Sequence, residues 1–202
     1  AVADVDGDSV LDVAVALSFG GSVQLHRGAG DGTFGPAETV AVSNRPSDLL
    51  LADLTGDAVL DLAFTDEQLD SIQVLRGVGN GTFVDPLDLD VGNLPAALAA
   101  ADVNADGALD LLAANAFSDD VALLLGDGAG AFAPATFVQG GDGAAALAVA
   151  DLDADGTLDL VIVNANSDDL WIARGDGDGG FGPAERHAAD ENSSSVTVVD
   201  LD

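Results

Sequence analysis

Short apolar runs return along this chain at a fixed interval of 49 residues: Leu11–Val15, Leu60–Phe64, Leu109–Ala113 and Leu158–Ile162. Large residues hold one parity of each run and often Ala or Val the other, the pattern of a strand covered on both faces. A polar turn follows, clearest at Asn115–Asp120 and Asn164–Asp169, and then a second strand such as Ser71–Arg76 or Asp120–Leu125. Two strands joined by a few turn residues predict a hairpin. Next comes a glycine series, Gly28, Gly30, Gly32 and its copies Gly77, Gly79, Gly81, then Gly126, Gly128, Gly130, then Gly175, Gly177, Gly179. It leads to Phe34, Phe83, Phe132 and Phe181, each with a proline shortly behind, and a further strand is expected to run on from the Phe.

The last element of each unit is small and apolar: Leu49–Ala52, Ala97–Ala101, Ala146–Ala150 and Val196–Val199. Its alanines suit sheets that crowd together. Each unit thus contains four short strands and no convincing helix, which predicts an all-β fold of four tandem 49-residue, four-stranded antiparallel blades, β-propeller-like. Residues 1–202 read as one repeat region, with units near 4–52, 53–101, 102–150 and 151–199 and the start of a fifth at 200–202. The pattern is met by a closed ring within a longer chain and by an open array, in which uniform register serves repeated neighbour contacts. The chain has no Met and starts and stops inside a repeat, so it reads as an excerpt of a longer protein.

Between the last strand of one unit and the apolar run of the next lies a nine-residue loop rich in acid. Its clearest copy is Asp151-Leu-Asp153-Ala-Asp155-Gly-Thr157-Leu-Asp159, and the others run from Asp4 to Asp12, Asp53 to Asp61 and Asp102 to Asp110. Turn formation alone accounts for Asp and Gly here, but not for Asp at positions 1, 5 and 9 of every copy. Alternating carboxylates in a tight turn supply the converging anionic oxygens that a hard cation requires. The expected donors are Asp4, Asp6, Asp8 and Asp12; Asp53, Thr55, Asp57 and Asp61; Asp102, Asn104, Asp106 and Asp110; and Asp151, Asp153, Asp155 and Asp159. The main-chain carbonyls of Val10, Val59, Ala108 and Thr157 at position 7 are expected to add one oxygen each.

Calcium is the expected ion, about one per complete loop. Magnesium holds its waters and demands a strict octahedron, and the lack of His and Cys in the loops argues against zinc and softer metals. An EF-hand loop closes with Glu at its twelfth position, where these loops have Val15, Phe64, Ala113 and Ile162. The second loop is expected to bind most weakly, since Thr55 replaces an acidic or amide ligand and Ala58 stands at the usual glycine position, as Ser9 does in the first.

Composition narrows the partners. The formal net charge is -31, with five basic residues against 36 acidic ones, which excludes nucleic acid and anionic membrane surfaces as partners because both are bound through basic side chains. The surplus acid beyond the loops reads as a solubility feature or an adaptation to salt. No cysteine is present to staple the fold, and no run of about 20 apolar residues offers a membrane span. Calcium loops in series favour an extracellular setting, secreted or at the cell surface, where millimolar calcium fills even weak sites.

Together the loops, the strands, the Gly-x-Gly-x-Gly-x-Phe series and the trailing prolines resemble the FG-GAP family, also met as VCBS repeats, which includes the propeller of integrin alpha subunits. Phe34-Gly-Pro-Ala37 and Phe181-Gly-Pro-Ala184 carry the resemblance best; Phe132-Ala-Pro-Ala135 is weaker and Phe83-Val-Asp-Pro86 departs from it. It covers essentially the whole chain and implies four-stranded blades with calcium in the hairpin loops.

No nucleophile, base and orienting acid recur together, and His26 and His187 occupy unrelated repeat positions, so no enzyme is expected. The adjacent acids Asp119–Asp120 and Asp168–Asp169 are read as turn residues whose side chains diverge. The glycine series lacks the helix start that a phosphate cradle needs and reads as turn residues of positive φ. Trp171 stands where the other units have Gln24, Gln73 and Ala122, and is read as a partly exposed strand aromatic. The sequons Asn80-Gly-Thr82 and Asn192-Ser-Ser194 read as chance occurrences. The leading reading is a calcium-stabilised structural or adhesion module acting through protein contacts or self-association. A carbohydrate-binding propeller and an accessory region of a secreted enzyme are the alternatives.

Overall fold

The computed structural model describes residues 1–189 and 193–199; the start of a fifth loop at 200–202 and the sequon at Asn192 lie outside them. Among the described residues, sixteen strands form four four-stranded sheets. The first contains β1 (Val2–Ala3), β2 (Asp12–Leu17), β3 (Ser22–His26) and β4 (Glu38–Val42). The second contains β5 (Pro46–Ala52), β6 (Asp61–Asp66), β7 (Ser71–Gly77) and β8 (Phe83–Asp90). The third contains β9 (Pro95–Ala101), β10 (Asp110–Asn115), β11 (Asp120–Leu124) and β12 (Thr136–Gln139). The fourth contains β13 (Ala144–Ala150), β14 (Asp159–Asn164), β15 (Asp169–Ala173) and β16 (Glu185–Ala188). Every sheet is an antiparallel meander in chain order.

The acidic loop joins the first two strands of one sheet, so the hydrogen-bonded sheet is offset by one strand from a repeat cut at the loop. The small apolar strand before each loop pairs with the strand after it, as Ala101 with Asp110 and Ala52 with Asp61. Val196–Val199, expected to be the next such strand, is not in one.

Parity explains the core. In β10, Leu111 and Ala113 pack with Ala63, Ile72 and Val74 of the second sheet, while Leu112 and Ala114 pack with Leu160 and Ile162 of the fourth. All six residues of β6, β10 and β14 are buried, as expected of strands covered on both faces. The core is therefore a series of layers, one between each pair of successive sheets. Leucine-rich β5 lies against alanine-rich β9, and β9 against alanine-rich β13. Among the described residues no comparable contact joins the first sheet to the fourth.

Polar ties cross the same gaps. The Leu98 amide donates to Asp48 at 2.9 Å and the Ser47 hydroxyl to the Pro95 carbonyl at 2.8 Å. Asp70 and Asp119, at positive φ in the hairpin turns, accept the amides of Leu94 and Gly143 from the following sheet. Asp120 instead accepts from Asn115 and Ser118, so the neighbouring acids Asp119 and Asp120 do diverge.

Candidate metal loops at the sheet joints

Each loop is wound around its first aspartate. Asp4 accepts the amides of Gly7 and Ser9, both at 2.8 Å, Asp53 those of Gly56 and Ala58, Asp102 those of Asp106 and Gly107, and Asp151 that of Gly156. The Ser9 amide is the foremost reason that the Asp4 carboxyl titrates below its ordinary value. The position-5 carboxylates Asp8, Asp57, Asp106 and Asp155 accept the amide two residues on, each at 2.8 or 2.9 Å. These bonds make a turn tight enough to bring alternate side chains together. In the first loop Asp4, Asp6 and Asp8 place carboxylate oxygens within 4.8 Å of one another, and in the fourth Asp151, Asp153 and Asp155 do the same. The second and third loops have Thr55 and Asn104 in the middle and form no group of three carboxylates among the described residues.

Position 9 does something else. Asp12, Asp61, Asp110 and Asp159 are at most 1 % exposed and belong to neither carboxylate group. One oxygen of each accepts the amide of the second loop residue, Val5, Leu54, Val103 or Leu152. The other accepts the amide of the first glycine in the glycine series, Gly28, Gly77, Gly126 or Gly175. The ninth residue is thus a clasp between the acidic loop and the glycine turn. Burial pushes the Asp110 carboxyl up. Burial acts the same way on Asp159, but the amides of Leu152 and Gly175 together with Arg174 outweigh it and hold that carboxyl below its ordinary value.

The glycine series is more than a turn. Its second and third members have positive φ, as expected, but the first does not. A Cβ on Gly77 would lie 2.1 Å from the Leu60 carbonyl oxygen, and the other first glycines are as tight. They are glycines because the acidic loop presses on them. The third glycine reaches the loop of the preceding sheet: the Gly81 amide donates to the Val5 carbonyl at 3.0 Å, Gly130 lies against Thr55, and Gly179 against Leu125 and Asn104. The first three acidic loops therefore stand at the joints between sheets, a position that spacing alone could not show.

Positions 4 and 6 are left-handed in all four loops, through Gly7 and Ser9, Gly56 and Ala58, Ala105 and Gly107, and Ala154 and Gly156. Each loop has one glycine at these two places. Ser9 and Ala58 thus mark a glycine moved to position 4, not one lost, and Ala58 no longer singles out the second loop as strained. Thr55 remains a difference, and its hydroxyl oxygen is buried without a hydrogen-bond partner. An oxygen-only donor set with an unspent buried hydroxyl fits a hard cation.

Sheets packed in series, each with an acidic loop between its first two strands, define a propeller-like tandem-repeat protein with candidate cation sites. The model of the FG-GAP-like repeat matches residues 4–64, 53–113, 102–162 and 151–202, and the chain belongs to that family. No curated protein matches the chain. Among solved structures it is similar to an Agrocybe aegerita lectin that recognises non-reducing terminal N-acetylglucosamine, with 25 % identity, a TM-score of 0.64, and coverage of 92 % of this chain and 50 % of the lectin. It is also similar to BBS1N in complex with ARL6DN (13 %, TM-score 0.66, 94 % and 56 % covered) and to the V. cholerae biofilm matrix protein Bap1 (20 %, TM-score 0.58, 90 % and 27 % covered). The latter two likenesses concern the fold alone. The chain spans about half the length of the first two.

Proposed function

We propose that this chain is a calcium-stabilised, extracellular structural or adhesion module that meets its protein partners, or copies of itself, through its repeated surfaces. The observation that carries the reading is the convergence of three carboxylates within 4.8 Å in the first and fourth loops, the first of which stands at the joint with the next sheet. Positions 1, 3 and 5 would hold the ion from their side chains. The carbonyls of Val10, Val59, Ala108 and Thr157 would add an oxygen each, with water completing the shell. Bound calcium would offset the repulsion among the loop acids and stabilise the joints by mass action. An extracellular site, where calcium is millimolar, suits loops of ordinary affinity.

Isothermal titration at millimolar calcium is expected to give about one ion per complete loop, and chelation to lower the melting temperature. A melting temperature indifferent to both calcium and chelator would remove the reading. Electron microscopy of the full-length source protein then separates its forms: closed rings support a discrete adhesion module, and fibres lost on chelation support a structural polymer.

One observation favours a second reading, glycan binding. A groove of about 430 Å³ between the third and fourth sheets is lined by Trp171, Phe137, Phe181 and Gln139, and the lectin noted above is a relative in fold. Specific retention on a glycan array, lost in Trp171→Ala, would support it; an array without hits would leave the structural reading alone.

A further inference from the structure

Two repeat columns are linked through their ion pairs. Position 3 of the loops reads Asp6, Thr55, Asn104 and Asp153, and the residue before the first glycine reads Arg27, Arg76, Leu125 and Arg174. Three of the five basic residues of the chain stand in this second column. Arg27 donates from Nη1 to Asp6, and its Nη2 lies 3.7 Å from Glu38. Arg174 Nη1 lies 2.7 Å from Asp159 and 3.4 Å from Asp153. Where position 3 is neutral the column lets go of the loop: Arg76 pairs with Asp85 at 3.1 Å, and Leu125 packs into the apolar layer between the third and fourth sheets.

The charges then match. The first and fourth loops hold four carboxylates less one guanidinium, and the second and third hold three carboxylates and no guanidinium, so each carries a net charge of -3. The column also stands at the sheet joint. Gly81 of the second sheet sits on the Arg27 guanidinium so closely that a Cβ there would meet Nη1 at 2.3 Å, and Gly179 covers Leu125 in the same way.

Resting on the calcium reading above, we propose that Arg27 and Arg174 are built-in counter-ions that level the charge of the four loops. They hold the position-3 carboxylate when the loop is empty and weaken its pull on calcium when it fills. The four sites thereby bind over one narrow range of calcium, and the three joints between sheets stiffen together. Carboxylate number alone would instead fill the first and fourth loops well before the others.

A calcium titration of the intact chain, followed at the amide resonances of Gly7, Gly56, Gly107 and Gly156, reads each loop separately. In the wild type the four midpoints are expected within about fivefold of one another. Arg27→Gln should tighten the first loop, and Arg174→Gln the fourth, by about two- to tenfold, the scale of one partly exposed charge pair facing a divalent ion. Asn104→Asp adds a carboxylate without a counter-ion and should tighten the third loop by a similar factor, while Arg76→Gln moves none. In chelator, Arg27→Gln and Arg174→Gln should melt below the wild type, and calcium should close the gap. Unchanged or weakened midpoints in both arginine variants, or wild-type midpoints spread beyond tenfold in the order of carboxylate number, would overturn the levelling role while leaving calcium binding intact. Loop resonances that ignore millimolar calcium in every variant would overturn the calcium reading, and the levelling role with it.

Discussion

At the scale of single residues, the loop acids divide into those that can release their oxygens and those already engaged. Asp61 is fully buried and accepts amides from Leu54 and Gly77 at 2.8 Å each. Asp61→Asn turns one acceptor into a donor facing an amide and is expected to cost about 1–3 kcal/mol, in chelator as much as in calcium. Asp57→Asn, on an exposed carboxylate, should matter only when calcium is present, and urea melts in the two conditions separate the cases. A second engaged acid lies away from the loops: Asp66 accepts from Ser43, Asn44, Gln68 and Leu69. Burial raises its carboxyl, but these bonds outweigh burial and lower it below 3.8. A depressed folded pKa means that the unfolded chain takes up the proton first. Its stabilisation is therefore present above pH 3.8 and lost as pH falls through the folded value. Asp66→Asn should lower stability near neutral pH, with the deficit shrinking below that point; a deficit constant down to pH 2.5 in chelator would contradict the assignment. The nine-residue spacing revealed which residues are acidic and alternate, but not that every ninth residue clasps a glycine sixteen positions on, because that bond is made only once the hairpin folds back.

At the scale of elements, strand type and order were legible because an apolar run of period two, buried on both sides, leaves its mark on both parities, as in Leu111–Ala114. The glycine turns were legible only in part. Gly30 and Gly79 announce positive φ, whereas Gly28 and Gly77 answer to a carbonyl brought against them by another element. Two substitutions isolate these causes. Gly77→Ala must push back the Leu60 carbonyl and loosen the clasp of Asp61, and overpacking of this kind costs about 1–3 kcal/mol. Gly7→Ala meets open space but keeps a φ of 79°, so only backbone strain of about 1–2 kcal/mol opposes it. The first should shift hydrogen exchange across both the loop and β7, and the second across its loop alone. Equal, loop-confined effects would show that the clasp does not couple the two turns.

At the scale of the whole molecule, the layers between sheets hold an acidic chain together against a net charge of -31. Each layer is apolar, so the repulsion acts at the rims, and the most crowded rims are the acidic loops that stand where one sheet meets the next. Divalent ions would relieve that crowding at the joints, whereas monovalent salt screens it everywhere, shrinking the Debye length from about 10 Å at 0.1 M to about 3 Å at 1 M. The two treatments should therefore substitute for one another in part. In chelator, raising sodium chloride from 0.1 M to 1 M is expected to raise the melting temperature by several degrees, since about 1 kcal/mol moves a domain of this size by roughly 2–4 °C. In saturating calcium the same salt step should do markedly less, because the repulsion that it screens has already been offset at the joints. Choline chloride should reproduce the effect of sodium chloride if screening is its cause. A salt response of equal size with and without calcium would mean that the loop charges do not limit stability, and that the apolar layers alone decide when the sheets part.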